Sequence, residues 1–513
     1  MGSRSAWVAR CRPPRGSAGP IARIADPEGC AAFHTDAARY PGGHTLEVCF
    51  PESEAAVAAV LAAADRVLVV GAQSSLTGGA TPYGETVLST ARLRTIGAPT
   101  ADRVVVGAGV VLADLARELA ARDQYYPPLP TYDGATIGGT VATNAAGAAT
   151  FKFGATRTWV RGLTVVLADG GVLDVARGEV TASPSGHFEI VGLDGISQRV
   201  EVPSYRLPAV RKLAAGYCAA PAMDLVDLFI GAEGTLGVVT SVELAVLAPR
   251  PACFVGLVPC RDEAAALALA DELRAAAAHP GGIDVAAIEY LDARALALLF
   301  RIDLDPAITT ARAGAEIARV DDPTCDTMLV RLCRLLDRRG VLAATLPALP
   351  GQDERRAALF ALRESVPQIV NRRVAEAQRT IDPTLSKSGG DVIVPVERLG
   401  ELLACAHDAL DARGLDHAIW GHLSDGNLHP NVLPRRPEDG AHARAAQLAI
   451  GSAAIALGGS PLSEHGVGRS PVKQELLRRL YGEAGLAAMR AVKRALDPRA
   501  ILAPGVIFEP GSV

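Results

Sequence analysis

From Pro127 to Gly147 the chain reads Pro-Pro-Leu-Pro-Thr-Tyr-Asp-Gly-Ala-Thr-Ile-Gly-Gly-Thr-Val-Ala-Thr-Asn-Ala-Ala-Gly, with Asp133 its only charged residue. A stretch this small cannot build a core of its own, but its backbone can lie flat against a large planar ligand. Thr136, Thr140, Thr143 and Asn144 could then bond the ligand's heteroatoms. Taken alone, the segment is equally a Gly-rich structural linker. A second small-residue loop, Gly71-Ala-Gln-Ser-Ser-Leu-Thr-Gly-Gly79, follows the β-branched run Arg66–Val70. Consecutive backbone N–H groups in such a loop can converge on phosphate oxygens. No Gly-Lys-Ser/Thr closes it, so it is not a Walker loop. The plain alternative is an ordinary Gly/Ser turn.

The rest of the first half alternates strands and helices. Val57–Ala64 reads as a helix, Arg103–Val106 as a strand and Ala113–Arg122 as a helix. Thr164–Ala168 and Val172–Val175 flank a hairpin turn at Asp169-Gly-Gly171. Gly231-Ala-Glu-Gly-Thr-Leu-Gly237 precedes the strand Val238–Leu247. Gly107-Ala-Gly109 imitates a dinucleotide fingerprint, but Leu112 stands at the third glycine position, which makes a structural turn the better reading.

Pro249-Arg-Pro251 breaks the pattern and marks a boundary. Beyond it, Glu263–Ala278 reads as a helix, Asp391–Val396 as a strand, Glu397–Ala412 as a helix, and His417–His422 with Asn427–Leu433 as two strands. Glu475–Leu496 reads as one amphipathic helix stopped by Asp497-Pro498. This texture is α+β.

With 513 residues the chain has room for about three domains or two large ones. Its 49% apolar and 21% charged content excludes general disorder. A net charge of -5 and 4% aromatics argue against nucleic-acid partners but leave small anionic substrates open. The nine cysteines form no CxxC pair, which speaks for reduced core thiols in a cytoplasmic protein and against a cluster or ribbon. No apolar run reaches the roughly 20 residues of a membrane span. The Arg-rich start lacks an apolar h-region, so residues 1–30 are expected to be a flexible N-terminus rather than a signal.

The chemistry concentrates in Trp420-Gly-His-Leu-Ser-Asp-Gly-Asn-Leu-His429. If Asp425-Gly426 is a two-residue turn, His422 lies opposite His429, and two imidazoles about 5 Å apart can share a divalent metal. Glu464-His465 adds a carboxylate and a third imidazole. The alternative is a structural metal site.

Taken together, Gly71–Gly79, Thr136–Gly147, Phe153–Arg157, Gly231–Val239 and the two histidine motifs resemble the PCMH-type, vanillyl-alcohol-oxidase-like flavoproteins. The branch is the D-lactate, glycolate and D-2-hydroxyglutarate dehydrogenase group. The resemblance implies a two-subdomain PCMH-type FAD-binding domain (31–250) and an α+β substrate or cap domain with an antiparallel sheet (251–465). It also implies a helical segment, 466–513, returning to the FAD domain.

By the same resemblance, non-covalent FAD contacts Gly71, Ala72, Gln73, Ser74, Ser75 and Gly78. Its ring lies near Asp133, Thr136, Gly139, Thr140, Thr143, Asn144 and Gly147. Arg157 follows these, and Glu233, Gly237 and Val238 sit near the nucleotide end. His422, His429 and Glu464 are implied ligands of a divalent metal, zinc or manganese. His465 is the implied base, Arg363 the carboxylate-binding arginine, and Lys387 a weaker candidate because Ser388-Gly-Gly390 displaces it. Ser424, Ser463 and Ala503 depart from the family pattern without deleting a ligand.

The expected reaction takes a 2-hydroxy acid, in its D form, to the 2-oxo acid. Electrons would pass to a quinone, a cytochrome, an electron-transfer flavoprotein or oxygen. A homodimer and a location at the membrane periphery remain open. Two rivals stand beside this reading: an alkyl-dihydroxyacetonephosphate-synthase-like transferase and a non-catalytic flavin electron-transfer subunit. The role of 300–350 is left open.

Overall fold

A computed structural model describes residues 6–128, 130, 132–249, 252–299, 313–321 and 326–512. Of the stretch 300–350, residues 300–312 and 322–325 lie outside the described residues, as do Arg250 and Pro251 at the expected boundary.

Two four-stranded sheets, beside a three-stranded one of Val8–Arg10, His187–Val191 and Ser197–Glu201, carry the first half. In one, Val48–Phe50, Thr86–Ser89 and Val67–Val70 run parallel, with Ala22–Ile24 antiparallel at the edge. In the other, Arg103–Gly107, Val238–Ala245, Val160–Val166 and Val172–Ala176 are antiparallel. The helix preceding the strand Val67–Val70 begins at Glu54, earlier than its apolar pattern indicates. Ser53 caps it by accepting a hydrogen bond from the Ala56 amide at 3.1 Å.

The expectation of a flexible start is corrected for residues 6–30. Val8–Arg10 pairs with His187–Val191, and Arg12 joins Glu54 at 2.6 Å and Asp174 at 2.5 Å. Charge misled the reading: the N-terminal arginines meet acids far along the chain.

The second half is a seven-stranded sheet. Its order is Leu346–Ala348, Cys253–Cys260, Ala313–Asp321, Val285–Leu291, His417–His422, Asn427–Val432 and Val392–Ile393, with every pairing antiparallel. Helix Glu263–Ala278 begins at its Asp262 cap, which accepts from the Ala265 amide at 2.7 Å. The strand expected over Asp391–Val396 is only Val392–Ile393, because Pro395 lacks an N–H and a 3-10 turn begins at Val396.

The C-terminal helix spans Pro471–Leu496 but is broken at Gly482, whose φ of 68° and ψ of 176° leave the helical region. One continuous helix is therefore corrected to two that meet at a glycine.

The buried clusters follow this division. Cap residues such as Ile288, Leu403, Ile419 and Leu428 share one core. Leu477, Met489 and Val492 instead join the core of the first half, and Leu502 bridges Val67. Among the described residues no helix is long and apolar enough to cross a membrane.

Candidate active site

The small-residue loops line a cleft of about 1500 Å3. Gly71, Ala72, Gln73, Ser74, Ser75, Thr136, Gly139, Thr140, Thr143, Glu233 and Gly237 all border it. Close contacts explain the smallness: a Cβ on Gly71 would lie 2.2 Å from Thr136 Oγ1, and one on Gly138 2.7 Å from the Ala108 methyl. The Gly107-Ala-Gly109 turn is structural, since Cβ atoms there would meet the Leu93 and Thr90 carbonyls at 2.2 and 2.0 Å.

Six expected contacts do not border the cleft. Asp133 is exposed. Gly78, with φ of 74°, backs onto Tyr40. Gly147 bonds Thr150, and Val238 is a core strand residue. Asn144 accepts from the Arg157 amide at 3.0 Å and donates to Leu213 O at 3.1 Å. Arg157 in turn holds Asp227 at 3.0 Å. These two brace the loop from behind instead of facing its ligand.

At one end the cleft reaches the loop 464–468. Glu233 accepts from the Val467 and Gly468 amides, both at 2.8 Å. Burial pushes its carboxyl up to about 7 against those two bonds. Gly468 also approaches Thr77 so closely that a Cβ would sit 2.1 Å from its Oγ1. The loop bearing Glu464 and His465 is thus seated on the first small-residue loop.

A smaller cavity of about 580 Å3 lies on the cap side, bordered by Arg363, Lys387, Trp420, His422 and His429. Leu76, Glu464 and His465 line both spaces.

The hairpin register differs from the expected one. His422 pairs with Asn427 and Trp420 with His429, so Leu423–Gly426 forms a four-residue turn. The Gly426 amide reaches back to His422 O at 3.2 Å, and Gly426 takes a φ of 86°. His422 and His429 are diagonal, not directly opposed. They still share a face, with ring centroids 5.5 Å apart.

Glu464 stands between them, Oε1 3.4 Å from His422 Nε2 and Oε2 3.5 Å from His429 Nε2. Each imidazole has a buried carboxylate behind it. Glu289 bonds His422 Nδ1, and Asp391 lies 3.7 Å from His429 Nδ1. Asp391 is also 3.7 Å from His465 Nδ1, and the His465 ring stacks on His429 at 5.0 Å. One ligand atom from each of Asp391, His429, Glu464 and His465 falls within 4.8 Å of the others.

The electrostatics separate the histidines. Burial alone would neutralise His422, but Glu289 outweighs it and lifts the ring to about 9. Burial takes His429 down to about 3 and lowers His465 as well. Asp391 stays ionised despite its burial, held by His465, Lys473 and His429. Its Oδ2 accepts from the Ser463, Glu464 and His465 amides at 3.2, 2.9 and 2.8 Å.

Arg363 is buried beside the cavity, but its fork is partly engaged: Nε donates to Glu289 at 2.8 Å and Nη1 to Glu364 at 3.1 Å. Lys387 borders the cavity, and burial depresses its ammonium to about 8.

Three members escaped the sequence reading: Asp391, Glu289 and Lys212. Lys212 Nζ lies 2.5 Å from Glu464 and 3.0 Å from Asp425. Glu289 left one signal, an acid within the apolar strand Val285–Leu291.

The FAD binding domain family matches residues 46–176, and the C-terminal domain of FAD linked oxidases matches 254–507. D-2-hydroxyglutarate dehydrogenase of Xanthomonas citri pv. viticola is 30% identical over 90% of this chain and 89% of its own. The mitochondrial D-2-hydroxyglutarate dehydrogenase of Bos taurus is 30% identical over 94% of this chain and 80% of its own. The chain belongs to the D-lactate, glycolate and D-2-hydroxyglutarate dehydrogenase family of FAD-dependent oxidoreductases. Glycolate oxidase subunit GlcD of Bacillus subtilis is 29% identical over 78% of this chain and 74% of its own.

A solved alkyldihydroxyacetonephosphate synthase superposes with a TM-score of 0.62 over 96% of this chain and 83% of that one, at 14% identity, a likeness of fold alone. The cleft suits the family's cofactor. Its walls are small-residue loops that admit a flat ligand.

Proposed function

We propose that this enzyme oxidises the CH–OH of a D-2-hydroxy acid to the 2-oxo acid, with His465 as proton acceptor. The observation that carries this reading is that Glu464 and His465 line both the large cleft and the small cavity. A substrate in the small cavity therefore has the flavin cleft on one side and a neutral imidazole within the same wall.

When bound, FAD supplies the capacity to accept two electrons, which no side chain here possesses. Gly71–Ser75, Thr136, Gly139, Thr140 and Thr143 would hold it, and we infer a non-covalent association. His422, His429 and Glu464 would hold a divalent cation, zinc or manganese, whose Lewis acidity makes a coordinated hydroxyl more acidic. The donor types suit such an ion: one Nε2 faces each oxygen of the Glu464 carboxylate and each Nδ1 faces a buried acid that orients the ring, while His422 stands outside the tighter group of Asp391, His429, Glu464 and His465.

The chain's own residues do the remainder. Arg363 presents the unengaged edge of its guanidinium to the substrate carboxylate. Lys387 adds a second positive charge on the same wall. Asp391 fixes the His465 ring and favours the imidazolium that forms when it takes the hydroxyl proton. Leu76, Pro367 and Trp420 form the apolar part of this wall and limit the water beside the reacting carbon. Electrons leave to an external acceptor (quinone, cytochrome, electron-transfer flavoprotein or oxygen), and we place the protein in the cytoplasm or at the membrane periphery.

The test is anaerobic flavin absorbance against a panel of D- and L-2-hydroxy acids. Bleaching by a D acid with formation of its 2-oxo acid is expected, slowed by a chelator. His465→Asn should stay yellow yet resist reduction. A variant reduced as fast as the parent removes His465 from this role, and a yellow parent that no hydroxy acid bleaches ends the proposal.

A further inference from the structure

The cap sheet has a second face. Glu289 and His422 point to the redox cavity, while the alternate residues Tyr290 and His417 point away from it. On that far side the helices Glu263–Ala278 and Leu399–Asp411 come together. His407 and Asp411, one turn apart on the latter helix, meet His417, the first residue of its strand. One ligand atom from each of the three falls within 4.8 Å of the others. His417 is buried, His407 is partly exposed and Asp411 is exposed, so the cluster opens to water on one side.

Both rings are oriented from behind. His407 Nε2 lies 3.2 Å from Glu263 Oε2, a carboxylate that also accepts the Tyr290 hydroxyl at 2.8 Å. An ionised carboxylate requires an N–H, so His407 in its neutral form presents a lone pair at Nδ1. His417 Nδ1 faces the Leu415 carbonyl at 3.0 Å. By the same reasoning its Nε2 carries a lone pair.

The two atoms so exposed, His407 Nδ1 and His417 Nε2, face each other at 3.4 Å. Something positive must lie between them: a proton on His407, whose ring the Glu263 carboxylate holds above its ordinary value, or a metal ion, and the distance separates the two. A hydrogen bond from nitrogen is normally about 2.9–3.0 Å long. Two nitrogens each about 2.1 Å from one tetrahedral ion stand roughly 3.4 Å apart.

Arg294 is the competing cation. Its Nη2 lies 2.8 Å from Asp411 Oδ1 and its Nη1 2.8 Å from His417 Nδ1. If Arg294 rather than Leu415 sets the tautomer of His417, a closed chain of hydrogen bonds runs from Arg294 through both rings to Glu263, with no place for an ion. The Leu415 carbonyl is fixed backbone two residues away, whereas Arg294 is a long side chain exposed to water. The fixed group decides the tautomer.

We propose that His407, Asp411 and His417 form a divalent-cation site of the zinc class, with Glu263 as the carboxylate that orients His407. The site is separate from the redox cavity and does not depend on the reading of that cavity. Its ion joins helix Leu399–Asp411 to the start of strand His417–His422, so its role is structural.

The experiment uses chelator-stripped, FAD-loaded protein titrated with Zn2+ alone, with bound zinc counted by elemental analysis. The redox cavity is itself rich in donors, so the comparison is between variants. His407→Gln should bind one zinc equivalent fewer than the parent, with flavin absorbance and reduction by hydroxy acids unchanged. Glu263→Gln should keep the site but weaken it about 10–100-fold. Arg294→Met should bind zinc more tightly than the parent. Equal zinc content and affinity in the parent and His407→Gln would overturn the proposal. So would an Arg294→Met protein that gains no affinity for zinc and only loses thermal stability, the result expected of the closed hydrogen-bond chain.

Discussion

The ammonium of Lys212 is buried 2.5 Å from Glu464 and 3.0 Å from Asp425, pinning both carboxylates from the first half of the chain. Burial works against its charge, and the two acids restore it. Replacing Lys212 with Met leaves two carboxylates buried without their cation. The loss should be about 3–5 kcal/mol in urea unfolding. Adding Asp425→Asn should return part of it, because one of the stranded charges is removed.

Glu289 links Arg363 to His422, and both partners hold its carboxyl down to about 2 in spite of burial. In Glu289→Gln the His422 ring keeps its burial and the repulsion of Lys212 and loses the stronger of the two acids that raise it, Glu464 remaining. Its titration, followed by NMR of the ring protons, should fall from about 9. If His422 ligates the proposed cation, substrate-driven flavin reduction should slow about 10–100-fold on loss of its orienting acid.

Gly71 has no room for a methyl group, because Thr136 Oγ1 stands 2.2 Å from where its Cβ would be. Gly71→Ala should fold with unchanged circular dichroism and bind FAD at least about tenfold more weakly, or about 1.4 kcal/mol. Gly71→Ala with Thr136→Ala should bind more tightly than Gly71→Ala alone. The relief is partial, since Thr136 also caps the helix Ile137–Ala142.

Asp292 accepts the Ala295 amide at 2.6 Å and the Ile419 amide at 3.0 Å, yet burial pushes its carboxyl up from 3.8 to about 6. Between about pH 4 and pH 6 the folded state holds a proton that the unfolded chain releases. Asp292 therefore makes stability fall as the pH rises through that window, by about 3 kcal/mol. Asp292→Asn should flatten this part of the stability–pH curve measured by chemical denaturation, with a constant offset for the amide left without its acceptor.

Legibility followed the range of the interactions. Glu263–Ala278 and His417–His422 are readable because a cap residue or a strand alternation is written into neighbouring positions. The small loops are readable because close packing excludes side chains there. The hairpin register is not, because a four-residue turn and a two-residue turn around Asp425-Gly426 share one composition. Lys212 and Asp391 are invisible for another reason. Lys212 meets Glu464 across 252 positions, and Asp391 gathers amides more than 70 positions away. Nothing local to either residue distinguishes it from a surface charge. Asn144 and Arg157 show the converse error: polar residues beside a ligand loop can serve its scaffold.

The strand Val67–Val70 is bridged by Leu502, and the core of the first lobe includes Leu477, Met489 and Phe508. Domains ordinarily complete themselves as they leave the ribosome, the N-terminal one first. Here that order is reversed for completion. The lobe synthesised first waits, with part of its interior open, until Leu477, Met489, Leu502 and Phe508 arrive, and the lobe made in between can close before it.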